Sequence, residues 1–182
     1  MAMVVMFIGT AAIGINMIQG LEVVQLTRDA ASMYSRGTDF SIPSNQKVLE
    51  DVSGSLGLSC SSAAYSRAAV ILSEVTYVDA SVCRLGGHLD GNCLNLGKWV
   101  FKQQLVLPPA NAVRSTSAFG TPSGVTIASD GTISVTDYAN QTGAVVSDAF
   151  NNLGIRSWGV DAQNVAYGMP SGQSVYIAEV AA

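Results

Sequence analysis

The sequence predicts an α+β fold: a long N-terminal apolar α-helix followed by a mainly antiparallel β globular body carrying one short helix. Three observations predict it. Residues 1–21 contain no Lys, Arg, Asp or Glu, and the first charge is Glu22. No proline stands before Pro43, so nothing interrupts a helix that begins at the start of the chain. From about residue 68 onward, runs rich in β-branched residues alternate with Gly, Asn and Pro turns, the pattern of short strands. The chain therefore divides into residues 1–37, a hydrophobic helix, and residues 38–182, a β-rich domain.

The helix is expected over residues 2–36, about 52 Å long at about 1.5 Å per residue. Its charge-free part, 21 residues and about 31 Å, matches the hydrocarbon thickness of a bilayer. Gly9, Thr10, Ala11, Ala12, Gly14, Asn16, Gln19 and Gly20 interrupt the large apolar side chains. Small residues allow close helix–helix approach, and buried polar side chains bond across helices, so this segment reads as built to touch other helices. Beyond it, Leu21, Val24, Thr27 or Arg28, Ala31 and Tyr34 or Ser35 follow a helical stripe. Gly37, after Arg36, suits a C-cap. A secretory signal peptide is a poor match, because the stretch lacks a basic n-region.

In the body, "SIPSNQKVLEDVSGSLGL" places Val48, Leu49, Val52 and Leu56 at helical spacing. It predicts a short helix capped by Ser44, ended by Gly54 or Gly57 and packed on the sheet. "SRAAVILSEVTYVD" predicts a strand over 68–78. "KWVFKQQLVL" predicts another over 98–107, with Trp99, Phe101, Leu105 and Leu107 facing inward and Lys102 and Gln104 outward. Between them lies "ASVCRLGGHLDGNCLNLG", read as a loop. Asp130-Gly131, flanked by Val125/Ile127 and Ile133/Val135, predicts a tight hairpin. "VSDAFNNLGIRSW" suits a helical turn and "GQSVYIAEVA" a terminal strand, giving a sheet of four to six antiparallel strands with a helix packed on it.

The net charge of -4 and the scattered basic residues argue against a nucleic-acid partner. Charged residues make up 12% of the chain, about half the usual share, a composition more common in secreted surface and filament proteins. Of three cysteines, Cys83 and Cys93 close the shortest loop and leave Cys60 unassigned; spacing also permits Cys60 to pair with either. A Cys83–Cys93 clamp at the tip of a long hairpin accounts for the loop between the two strands. His88 with Cys83, Asp90 and Cys93 lacks the tight paired spacing of structural zinc sites, so a disulfide is preferred to a metal. Asp90, Asp130, Asp137 and Asp148 lack the ligand density of a calcium loop and read as turns and caps. Asn140 begins an Asn-Gln-Thr sequon, a candidate for glycosylation. No catalytic or cofactor motif occurs, and neither enzyme activity nor a cofactor is expected.

An uncharged apolar first half, an amphipathic second half and a β-rich body resemble the plan of type IV pilin-like subunits. The closer resemblance is to TadE-like proteins of Tad/Flp pilus systems. It rests on "LTRDAASMYSRGTD", with Arg28, Asp29, Ala30, Ala31, Ser35, Arg36 and Gly37 in matching places, and more loosely on residues 68–107. The family's usual glutamate at the fifth mature position has no counterpart, since Val5 stands there. The resemblance implies a pilin, a structural subunit of an extracellular, pilus-like filament at the cell surface, held in the inner membrane before a Tad-type secretion machinery assembles it. Its partners would be identical subunits. The filament-core helix would use Met3, Phe7, Gly9, Ala12, Gly14, Asn16, Ile18 and Leu21, with Glu22, Arg28 and Asp29 pairing across neighbours. The alternative is a membrane-anchored minor pseudopilin, or a pilus-assembly or adhesion factor of such a system.

Overall fold

The computed structural model describes residues 2–62, 64–88, 92–108, 116–135, 137–146 and 172–182, with the side chains of residues 2, 4, 5, 7 and 8 outside the description. Helix α1 runs from Ala2 to Ser35, then α2 from Pro43 to Ser53 and a 3-10 turn over Gly54–Leu56. Strand β1 (Ala69–Tyr77), helix α3 (Ala80–Leu85) and strand β2 (Trp99–Leu107) follow. The short strands β3 (Thr126–Ile127) and β4 (Ile133–Ser134), a 3-10 turn over Thr142–Ala144 and strand β5 (Ser174–Ala181) complete the order. The strands form two sheets, β2-β1-β5 and β3-β4, rather than the single antiparallel sheet expected.

Two compact units emerge: Met1–Val70 with Leu107–Ser115 and Ala178–Ala182, and Ile71–Val106 with Thr116–Ile177. In the first unit α1 ends as its sequence dictates. Gly37 takes a left-handed φ of 80°, its N–H donates to the Tyr34 carbonyl at 2.9 Å, and the Thr38 N–H donates to Met33 at 3.1 Å. This is the Schellman arrangement, which satisfies carbonyls the helix leaves open. Asp39 then turns the chain, its carboxylate accepting from the Ser41 N–H at 2.8 Å.

Several expectations are corrected. Among the described residues, no helix is long and apolar enough to cross a membrane. The reason lies in α1 itself: Asn16, Gln19, Glu22 and Gln25 recur among the large side chains, with Gly9, Gly14 and Gly20 between them. The buried stripe of α1 is Leu26, Ala30 and Tyr34, not the Leu21–Val24 line, since Leu21 is 71% exposed. Helix α2 packs against α1 rather than on the sheet, burying Leu49 while Val48 and Val52 stay exposed. Its N-terminus is set by Pro43, whose fixed φ suits the first turn, and Ser44 is not its cap. Among its described residues the body holds two short α-helices, α2 and α3, not one. The stretch read as a loop begins with α3, whose N-cap Asp79 accepts from the Val82 N–H at 2.8 Å.

In the second unit, Val75, Val78, Trp99, Val100, Phe101 and Ile133 form the centre of the core, with Tyr77 tilted against Trp99 at 5.3 Å between ring centroids. Strand β2 departs from simple alternation. Val100 is fully buried, and Gln104 is buried with its amide donating to the Gly120 carbonyl at 3.0 Å and to Ser73 at 3.3 Å. The Asp130-Gly131 hairpin forms as the sequence predicts, with Thr126 opposite Ser134 and Ile127 opposite Ile133. The Thr132 N–H donates to the Asp130 carboxylate at 2.8 Å, which holds that carboxyl below its usual range.

Candidate assembly surface

The feature that sets this chain apart is the first half of α1. A helix of mean length runs about three turns, and α1 continues for 34 residues. Its C-terminal half is fastened by the stripe at Leu26, Ala30 and Tyr34 against α2 and the following 3-10 turn. Among the described residues, the N-terminal half has no such cover. Met3 is 87% exposed, Met6 74% and Met17 68%, and Ile13, Ile15, Ile18 and Leu21 are exposed in the same way. Gly9, Ala12 and Asn16 are exposed as well, and Gly14 is half-buried. Phe7 lies outside the described side chains. In folded proteins, contiguous exposed apolar patches of more than a few hundred Å2 are found at protein–protein and membrane contacts and at ligand grooves, and also as aggregation liabilities.

Glu22 stands where the covered and uncovered halves meet. Its carboxylate accepts a hydrogen bond from the Ser55 hydroxyl, so the first charge of the chain is engaged within its own unit. Arg67 reaches the same turn, donating to the Ser55 carbonyl at 3.3 Å. Arg28 is exposed and Asp29 half-buried, and neither forms an ion pair among the described residues.

The second unit carries the covalent feature. Cys83 and Cys93 form a disulfide with their Cα atoms 5.8 Å apart, joining the end of α3 to the segment before β2. Cys60 is free and buried; its backbone N–H donates to Glu50 at 2.7 Å, and burial pushes its thiol up to about 12, with the Glu50 charge adding to the effect. Beside the disulfide, His88 Nε2 lies 2.6 Å from the Asp137 carboxylate, and the Asn140 amide nitrogen lies 3.1 Å from His88 Nδ1. That geometry suits the Nε2–H tautomer, donating to Asp137 and accepting from Asn140. Asn140 also accepts from the Leu94 N–H at 2.9 Å, so both ends of the sequon amide are engaged in the fold. Asp90 and Asp148 lie outside the described residues, and no group of three or more His, Cys, Asp or Glu suited to a metal occurs among those described.

Sequence reasoning placed His88 with the flanking cysteines and missed Asp137, 49 residues away. It also missed a polar group across β2, β1 and β5. There Lys102 pairs with Glu74 at 2.9 Å and donates to the Ser174 hydroxyl at 2.9 Å, while that hydroxyl donates to Glu74. Strand alternation placed Lys102 away from the apolar row, which was the only signal available. Both groups tie strands or turns together, and the contacts shown bring no activated nucleophile to His88.

Compared with protein-family models, with curated proteins and with solved structures, the chain matches none.

Proposed function

We propose that this chain is a structural subunit of an extracellular, pilus-like filament, polymerised through the N-terminal half of α1. The observation that carries the reading is the run of exposed apolar side chains along the first half of α1, Met3, Met6, Ile13, Ile15, Met17, Ile18 and Leu21, in a stretch without a charged side chain. A standard protein interface buries about 1,600 Å2 over both partners, a little over half of it apolar, which at ~25 cal/mol per Å2 favours association by roughly 20–25 kcal/mol before ordering costs. Identical copies supply that cover. A contact between different surfaces of the same chain, when its rotation does not close into a ring, propagates into a filament. The Cys83–Cys93 disulfide suits an oxidising, extracellular setting. The resemblance to TadE-like proteins points the same way and names a Tad-type machinery as the agent of export and assembly.

Negative-stain electron microscopy of the purified full chain tests the proposal. Regular fibres whose main band runs near 18.9 kDa are expected. An Ile18→Glu/Leu21→Glu variant, altered only at exposed positions, is expected to keep the monomer's circular dichroism and lose the fibres. Dispersed monomers of the unaltered chain across salt and concentration overturn the reading.

A further inference from the structure

Asn95 stands just past the Cys83–Cys93 disulfide and ahead of β2, and it is fully buried. Its backbone N–H donates to the Ala139 carbonyl at 2.9 Å, and its own carbonyl accepts from the Lys98 N–H at 2.9 Å. Its side-chain nitrogen donates to two carbonyls, Tyr138 at 2.9 Å and Gln141 at 3.1 Å. Two acceptors at one end of the amide fix which end is nitrogen, because turning it over would set oxygen against both carbonyls. The oxygen, Oδ1, is left inside the fold with no donor. Among the described residues it is the one buried side-chain nitrogen or oxygen without a hydrogen-bond partner. An apolar side chain in its place would strand the Tyr138 and Gln141 carbonyls instead, so the amide is needed and its oxygen has still to be met.

We infer that Asn95 Oδ1 marks an internal water site: one water molecule, enclosed where residues 93–98 meet residues 137–141, donates to that oxygen. The inference goes beyond the filament reading and does not depend on it, since every residue it uses lies in the second unit. Native folds leave few buried acceptors unmet, and enclosed waters typically make about three hydrogen bonds to polar groups the chain itself does not satisfy. One hydrogen of the water goes to Oδ1. For the other, residues 137–141 supply a carbonyl with a lone pair to spare: Tyr138, which among the described residues accepts only from the Asn95 amide. A cation suits the site less. Calcium gathers about six to eight oxygens, several of them charged. The carboxylate of this stretch, Asp137, is committed to the Ala139 N–H at 3.0 Å and to His88 at 2.6 Å. No group of three or more His, Cys, Asp or Glu suited to a metal occurs among the described residues.

Water–protein NOE and ROE spectra of the isotope-labelled full-length chain test the assignment, with Ile18→Glu/Leu21→Glu present for dispersal. Magic-angle spinning reads the same water contact in any fibres of the unaltered chain. The Asn95 side-chain amide protons, held by two carbonyls, are expected to exchange slowly and to show a water cross-peak whose NOE and ROE have opposite signs, as a held water gives. Excess calcium or potassium chloride is expected to leave those signals unmoved. An Asn95 amide with no water cross-peak, or with one that arises from proton exchange alone, overturns the site. A saturable shift of the Asn95 amide with either cation, accompanied by loss of the water cross-peak, overturns it as well, since an ion would then be the occupant.

Discussion

At the scale of single residues, Gly131 shows how a turn can permit one side chain only. Its φ is +83°, and a Cβ there would stand 2.6 Å from the Gln104 carbonyl oxygen and 2.9 Å from the Leu105 Cβ. Backbone cannot give way as a flexible side chain does. Gly131→Ala is expected to lower stability by about 2 kcal/mol or more, read as a lower urea midpoint. Cys60 gives a chemical test. Buried and held protonated toward about 12, it is expected to resist thiol reagents at pH 8 in the native state and to react once the chain is unfolded. Its native pKa is raised above the unfolded value, so its contribution to stability is complete below the ordinary thiol range and is lost as pH rises toward about 12. Urea midpoints measured from pH 8 to pH 11 should therefore fall more steeply for the unaltered chain than for Cys60→Ala.

At the scale of elements, the two halves of α1 answer to different measurements. Leu26 is fully buried, so Leu26→Ala is expected to cost about 2–5 kcal/mol of monomer stability. Leu21, 71% exposed, is expected to change monomer stability by less than about 0.5 kcal/mol on truncation to alanine, while reducing pelleted polymer. Equal costs at the two positions would show that the N-terminal half is covered in the monomer. Helix α3 depends on covalent and capping support. It is six residues long, too short to persist alone, and is held by Asp79 at one end and the disulfide near the other. Cys83→Ala/Cys93→Ala removes a crosslink spanning 10 residues and is expected to cost about 3 kcal/mol in urea unfolding.

At the scale of the whole molecule, the described residues combine packed cores with a helix whose first half exposes its described apolar side chains. A monomer that exposes so many large apolar residues is aggregation-prone unless an ordered partner removes them from water. Residues 1–21 carry no charged side chain, so a partner covering them would meet no ionic desolvation penalty there, and the first charge, Glu22, accepts a hydrogen bond from Ser55 within the chain. Glu22 was expected to meet an adjacent subunit, and the contact visible within the chain gives it a local role: anchoring α1 to the 3-10 turn.

What the sequence determined by itself is what depends on neighbours along the chain. The extent of α1, its Gly37 cap, the strands β1, β2 and β5, and the Asp130-Gly131 hairpin follow from periodicity, absent prolines and positive-φ glycines, all local properties. The stripe that α1 buries shares only Tyr34 with the stripe its periodicity suggests, because an apolar helix presents several plausible stripes and only the residues packed against it choose one. For the same reason the partner of α2, the burial of Gln104, the His88–Asp137 contact and the Lys102–Glu74–Ser174 group were decided by the tertiary structure. Each joins residues distant in sequence, and no spacing rule reports which carboxylate or carbonyl the folded backbone will bring within hydrogen-bond reach. Helix α3 lies between these cases: its Asp79 cap is written in the sequence, yet the glycines after it masked a helix that tertiary anchoring sustains.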